Sequence, residues 1–414
     1  VSLAERRWLR LFTLCVLYVA QGIPWGFMAI TLPAYLAERG LDVATIGTAI
    51  AATYVPYSFK WVWGPLMDAF TIRRFGRRRP WILFAQLAMV VTVGVLLFLP
   101  DPAADLDVFL TVVLIHTVFN SMQDVAVDAL ATDLLDDEER GRANGLMYAS
   151  KYVGAMIGGA GLSLVIAQVS MRAALATQTA LLLAIMLVPL LVRERDTDPA
   201  PRPPVWTVMR SLLRAFTIRS AIACAIFVLV ANLATGMLMS VSNVLFTQGL
   251  GWDGTFLAFL TGGPGLLIGA AGAAAGGLLA DKVGHRRLIS LALATLAVLW
   301  AVFAACEPYW HVRALSYGML VAQALAVGVL SATVIAMCMD LSAPAVAASQ
   351  FTVYMALTNL STTTGSKNVA KYATEHFTYP GIYLFAASLH IIAMLALWPI
   401  DPKQVRRKAA QMAG

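Results

Sequence analysis

Four ionisable residues stand in surroundings that do not suit a charge. Lys60, Asp124, Asp128 and Lys151 each fall inside a long apolar stretch, where a charge is costly unless it is paired or hydrated. Asp124 and Asp128 are four residues apart, so a helix stacks both carboxylates on one face. Two carboxylates at that spacing resist double ionisation, and a lysine between them favours it. Such a set suits reversible proton binding, in which protonation of Asp124 or Asp128 frees Lys60 or Lys151 to engage an anionic ligand. A fixed ion-pair network that only sets helix packing is the competing role.

Uncharged polar and aromatic residues accompany them. In the first half of the chain Gln21, Trp25, Tyr57, Asn120, Gln123 and Tyr152 are candidate ligand contacts, and in the second half Gln350, Tyr354 and Asn359. Ordinary interhelical hydrogen bonding is the alternative for each. No catalytic set is visible: His116, His285, His311, His376 and His390 are scattered, and no HExxH, GxSxG or phosphate-loop pattern occurs. Cys15, Cys224, Cys306 and Cys338 lie alone in apolar runs, which supports neither a disulfide framework nor a zinc site. No prosthetic group is expected, and a proton is the expected coupling ion. A membrane receptor or membrane-embedded enzyme is the alternative from a different class.

The elements that must position these residues follow from composition. The 414 residues are 59% hydrophobic and only 13% charged, against roughly 25% charged in soluble domains. With a mean hydropathy of +0.75, this is a polytopic membrane protein. About 20 apolar residues cross a hydrocarbon core, and twelve stretches approach that length: 9–37, 43–68, 80–100, 107–134, 142–168, 171–192, 218–248, 254–280, 286–306, 312–340, 344–368 and 379–399. Counted inward along these helices, the four ionisable groups share a layer about 10–16 Å from one membrane face. The net charge of +7 is distributed as membrane orientation requires, not as nucleic-acid binding would. Arginines and lysines crowd the terminal-side segments, from Arg6, Arg7 and Arg10 to Lys403, Arg406 and Arg407, whereas the opposite side holds Arg39, Arg172, Arg313, Lys367 and Lys371. Both termini are therefore expected in the cytoplasm. The interfacial positions of Trp8, Trp81, Trp252 and Trp398 read as anchors.

A charged, proline-rich stretch at 193–217 divides the spans six and six, giving an N-terminal bundle at 1–192 and a C-terminal bundle at 218–414. Each half repeats one signature after its second span: Gly64-Pro-Leu-Met-Asp68 with Phe75-Gly76-Arg77-Arg78-Arg79, and Gly277-Leu-Leu-Ala-Asp281 with Lys282-Val283-Gly284-His285-Arg286-Arg287. Glycine permits close helix contact, the aspartate sits at a helix end, and the basic run can clamp neighbouring segments in one state and release them in another. Asp133, near the same face, is expected to pair with the arginines of the 64–79 loop, with Arg140 close by. The second copy resembles the G-x-x-x-D-[RK]-x-G-[RK]-[RK] loop motif of the major facilitator superfamily. That resemblance implies an all-α integral membrane fold of twelve transmembrane helices in two pseudo-symmetric six-helix bundles. Gly64, Asp68, Arg77, Arg78, Asp133, Arg140, Gly277, Asp281 and Arg286 would then take part in conformational gating.

Narrower motifs resemble the muropeptide permease (AmpG) family and its acetyl-coenzyme A transporter relatives. They are Phe59-Lys60-Trp61-Val62-Trp63-Gly64-Pro65, Gln123-Asp124-Val-Ala-Val-Asp128, Glu138-Glu139-Arg140-Gly141 and Ala348-Ser349-Gln350-Phe351. The resemblance implies a proton-driven importer of anhydromuropeptides in a bacterial inner membrane, working as a monomer by alternating access. Cationic residues suit other anions equally, so an acyl-coenzyme A or other organic-anion carrier stays open. So does a drug exporter, because Gly154-Ala155-Met156-Ile157-Gly158-Gly159 is similar to an antiporter motif of that group. Small residues at that spacing also serve close helix packing.

Overall fold

A computed structural model describes residues 3, 6–69, 76–99, 103–135, 137–194, 205–343, 346–401 and 404. Regular structure among them is helical. In the first half, α1 runs Arg7–Glu38, α2 comprises Val43–Ser58 and Trp63–Ala69, α3 is Arg79–Leu96 and α4 is Leu106–Leu134. Helix α5 comprises Asp137–Met156 and Leu162–Gln168, and α6 is Met171–Leu191. A short helix, α7 (Val205–Ala215), precedes the second half. There α8 is Arg219–Gly249, α9 comprises Gly254–Leu260 and Leu266–Val283, α10 is His285–Ala305 and α11 is Arg313–Asp340. Helix α12 comprises Ala347–Thr364 and Ala370–His376, and α13 is Tyr379–Leu397.

Ten of these helices are long and apolar enough to cross a membrane; α2 and α12 complete the twelve expected spans. Helix α2 is interrupted where Pro65 would drive its ring into the carbonyl of Trp61 in a straight helix, and the chain takes a 3₁₀ turn at Lys60–Val62 instead. The short Gln-Val-Ser connection before α6 suffices because the Ser170 hydroxyl accepts the Ala173 N–H at 3.1 Å and starts the next helix at once. Among the described residues, π-helical turns at Phe27–Thr31, Ile157–Gly161, Thr261–Gly265 and Gly365–Val369 divide α1, α5, α9 and α12, and one at Leu245–Gly249 ends α8.

Two compact units form: Val1–Gly40 with Ala52–Pro201 and Asp253–Gly263, and Leu41–Ala51 with Arg202–Trp252 and Pro264–Gly414. In the first, α1 and α5 meet backbone to backbone. A Cβ on Gly22 would stand 2.1 Å from the carbonyl oxygen of Lys151, and one on Gly154 would stand 2.4 Å from that of Val19. The glycine-rich segment of α5 thus serves close packing here, and Thr31 fastens the seam by donating to the carbonyls of Gly158 and Gly159 at 2.9 and 2.8 Å. In the second unit, α8 and α12 make a similar seam. Ser361 donates to Leu229 at 2.6 Å and Ser240 to Ser366 at 2.8 Å.

The internal repeat also shows in buried polar pairs. Thr92 of α3 bonds His116 of α4 at 2.9 Å, and Trp300 of α10 donates to Gln323 of α11 at 2.8 Å. Two sequence expectations need correction. Gly64 and Gly277 do not mediate close contact, because a Cβ on either would meet nothing within 4 Å. Trp252 is not an interfacial anchor: it is buried between Phe246 and Tyr317.

The seam makes a graded prediction. Gly22→Ala and Gly154→Ala should each lower stability by about 1–3 kcal/mol, the usual cost of overpacking, read as a lower thermal midpoint of the purified protein. Gly64→Ala should leave it unchanged or raise it. Equal effects at all three positions would remove the seam from the argument.

Candidate functional site

The charged layer forms around Asp124. Its carboxylate is only 5% exposed, and it accepts from Lys60 Nζ at 2.9 Å and from Lys151 Nζ at 3.3 Å. Lys60 reaches it from the 3₁₀ turn in α2, and Lys151 from the α5 side of the glycine seam. Trp63, one turn along α2, donates to Ser121 at 3.0 Å and fixes α2 against α4. A buried carboxylate with two ammonium partners is stable only as a set, since removing one partner strands the rest.

Asp128 sits differently. It is exposed, and it accepts a hydrogen bond from the hydroxyl of Tyr18. Both lysines turn to Asp124, so the expected lysine between two carboxylates is replaced by two lysines on one carboxylate. Tyr18 joins the parts: its ring lies 5.9 Å beneath the Lys151 ammonium and 5.9 Å from the ring of Tyr148. It was missed from sequence because a tyrosine in an apolar helix reads as core, and its ring is indeed buried.

The other expected residues are in varying states. Gln21, Tyr57, Asn120 and Gln123 are buried, and each has a polar atom with no hydrogen-bond partner among the described residues. Gln123 uses its amide nitrogen to donate to the Leu17 carbonyl at 3.2 Å. Trp25 is half-buried and bonded to Tyr54, while Tyr152 is exposed. In the second half the expectation changes. Gln350 accepts from the Ala343 N–H at 2.8 Å and donates to Tyr354 at 2.9 Å, and Tyr354 donates to the Ala221 carbonyl at 3.4 Å. Both side chains are fully buried, and their polar atoms hold α12 to its neighbours. Asn359 is half-buried on the same helix.

Residues 14–366 and 224–413 match the Major Facilitator Superfamily. The chain belongs to that superfamily. It is 29% identical over 275 residues to the anhydromuropeptide permease of Escherichia coli K12, a match covering 65% of this chain and 55% of the permease. The chain thus spans about half the length of that relative. An uncharacterised Haemophilus influenzae protein is 24% identical over 408 residues, covering 95% of each chain. Among solved structures, the nucleoside transporter NupG (TM-score 0.73, 14% identity, 94% of this chain and 99% of that one) shares the fold. So does a D-xylose–proton symporter (TM-score 0.71, 14% identity, 95% and 98%). The relatives named by function and these structural neighbours are transporters, not enzymes.

The superfamily's loop motif is built around a residue outside it. Gly76 takes φ +96° before α3, and Gly284 takes φ +89° before α10, a conformation that favours glycine. Arg78 then pairs with Asp133 at 3.1 Å, as expected, and His285 pairs with Asp340 at 3.1 Å in the second copy. The first turn of α3 is satisfied by Glu194. Its carboxylate accepts the Arg78 N–H at 2.8 Å and the Arg79 N–H at 2.9 Å, as suits an anion at a helix N-terminus. Nothing in the sequence marked Glu194, which sits in a charged stretch that looks solvated. Arg79 donates to the carbonyls of Pro189 and Leu190, both at 2.7 Å, and Glu139 pairs with Arg7 and Arg10. Arg77 is half-buried, and Arg286 is exposed with its guanidinium over the ring of Trp398 at 5.6 Å. The side chains of Asp68, Arg140 and Asp281 lie outside the described residues.

Burial pushes the Glu194 carboxyl above its ordinary range, against the opposing pull of the two N–H donors. A raised folded-state value means that its contribution to stability is full below the ordinary carboxylate range and declines as pH rises through the raised value. Thermal midpoints measured across that range should show this decline in the parent and not in Glu194→Gln. Glu194→Ala, which strands buried N–H groups, should lose about 1–3 kcal/mol.

Proposed function

We propose that this protein is a proton-coupled importer of anhydromuropeptides in a bacterial inner membrane, with both termini in the cytoplasm. The observation that carries this reading is the division of labour between two carboxylates one helical turn apart. Asp124 is buried and holds both lysines; Asp128 is exposed and held by a neutral phenol. Asp128 is the proton acceptor in this reading. Its ionisation adds a second negative charge beside Asp124 and so tightens the hold on Lys60 and Lys151. Protonation relaxes that hold, and a carboxylate of the incoming muropeptide takes over one of the lysines.

The polar atoms of Gln21, Tyr57, Asn120 and Gln123 that have no partner among the described residues support a polar ligand, since buried polar atoms are nearly always bonded to something. Muropeptides are rich in hydroxyl, amide and carboxylate groups, which match those atoms. Similarity to the E. coli anhydromuropeptide permease supports this choice of substrate over other anions. No cofactor is needed beyond the proton, and the working unit is a monomer that alternates its access. Gly76, Arg78, Asp133 and Glu194 form the part of the cytoplasmic gate carried by the first half.

Uptake of labelled anhydromuropeptide into proteoliposomes tests this, with a coenzyme A thioester in parallel. With an inward proton gradient the parent should concentrate the muropeptide and not the thioester. Asp128→Asn should abolish gradient-driven accumulation yet retain exchange of labelled for unlabelled substrate. Lys60→Met and Lys151→Met should each raise the half-saturating concentration. Full accumulation by Asp128→Asn would rule out the coupling role, and uptake of the thioester alone would rule out the substrate.

A further inference from the structure

The segment between the halves contains a helix whose outer face is unlike the rest of a linker. Along α7, Trp206, Arg210 and Leu213 follow one another at spacings of four and three, so they form one stripe, with Arg214 beside it. Trp206 is 74% exposed, Leu213 is 61% exposed, and both arginines are exposed. The inner side is occupied. Ala215 is buried against Ala343 and Val346, the ring of Phe216 packs edge-on to Tyr354 at 5.6 Å, and Met209 and Leu212 are half-buried. The stripe is therefore held outward by the second unit.

We propose that this stripe docks α7 on the anionic phospholipid headgroups of the leaflet on the arginine-rich side. Three observations select lipid as the occupant. Ile218 is the N-cap of α8, so the end of α7 lies within a few residues of a membrane span and its outer face starts at headgroup level. An apolar stripe of tryptophan and leucine beside arginines is the composition of helices that lie in the bilayer interface. Arg210 and Arg214 are exposed on α7, and Arg219 is exposed at the start of α8, which matches a negatively charged surface. The inference rests on α8 spanning the bilayer and is independent of substrate and coupling ion.

Hydrogen–deuterium exchange of the full chain in nanodiscs tests it. Discs of phosphatidylcholine alone are compared with discs that also contain phosphatidylglycerol. Each arginine near an anionic surface contributes roughly fivefold, so amides in the 206–214 stretch should exchange about 25-fold more slowly in the anionic discs. Added salt should erase the difference. Arg210→Gln combined with Arg214→Gln should also erase it, without changing exchange in α8 and α12, which reports that the fold is intact. Trp206→Ser should speed exchange in both kinds of disc. Equal rates in the two lipids overturn the proposal. Protection that instead rises with protein concentration overturns it in favour of a second copy of the chain.

Discussion

The structure is organised by the cost of placing Asp124 inside an apolar bundle. A carboxylate that is nearly inaccessible must be matched, and two lysines from two other helices match it. The backbone around it brings those lysines within reach. Helix α2 is broken at Lys60–Val62, and it is from that turn that Lys60 reaches the carboxylate. Helices α1 and α5 approach until glycine is the only residue that fits at Gly22 and Gly154, and Lys151 stands on that seam. The ion set and the helix packing are thus one constraint seen from two sides.

The second half shows what the same architecture does without that constraint. Its equivalent helices, α9 and α11, close directly on one another. A Cβ on Gly272 would lie 2.3 Å from the Leu325 carbonyl oxygen, and one on Gly328 would lie 2.1 Å from that of Gly269. Small residues line that contact, whereas α2 and α4 meet through Lys60, Trp63, Ser121 and Asp124. Pseudo-symmetry of the chain is preserved in its turns and polar pairs, while among the described residues the buried carboxylate with two lysines belongs to the first half.

Residues whose type conflicts with their surroundings were legible in the sequence. Lys60, Asp124 and Lys151 were conspicuous because apolar neighbours make a charge expensive, and their meeting follows from equal depth on adjacent helices. Residues whose type agrees with their surroundings were not. Tyr18 looks like core because its ring is core; only its hydroxyl does something else. For Gln350 and Tyr354 the residue types allow ligand contact and interhelical bonding alike, and their bonds close on Ala343 and Ala221. Helix α7 was hidden by averaging, since the prolines and charges at 193–204 dominate the composition of the stretch that contains it.

Glu194 has a further consequence for how the halves are joined. The chain enters the linker immediately after a carboxylate that caps α3, and the preceding residue is also tied down, since Arg193 accepts the Leu3 N–H at 2.9 Å. The last residues of the first half are therefore fastened both to Leu3 and to the start of α3. Arg78, whose own N–H is held by that carboxylate, extends the connection to Asp133 at the end of α4. The linker thus leaves the first half from a chain of contacts that ends on α4, the helix that bears both aspartates.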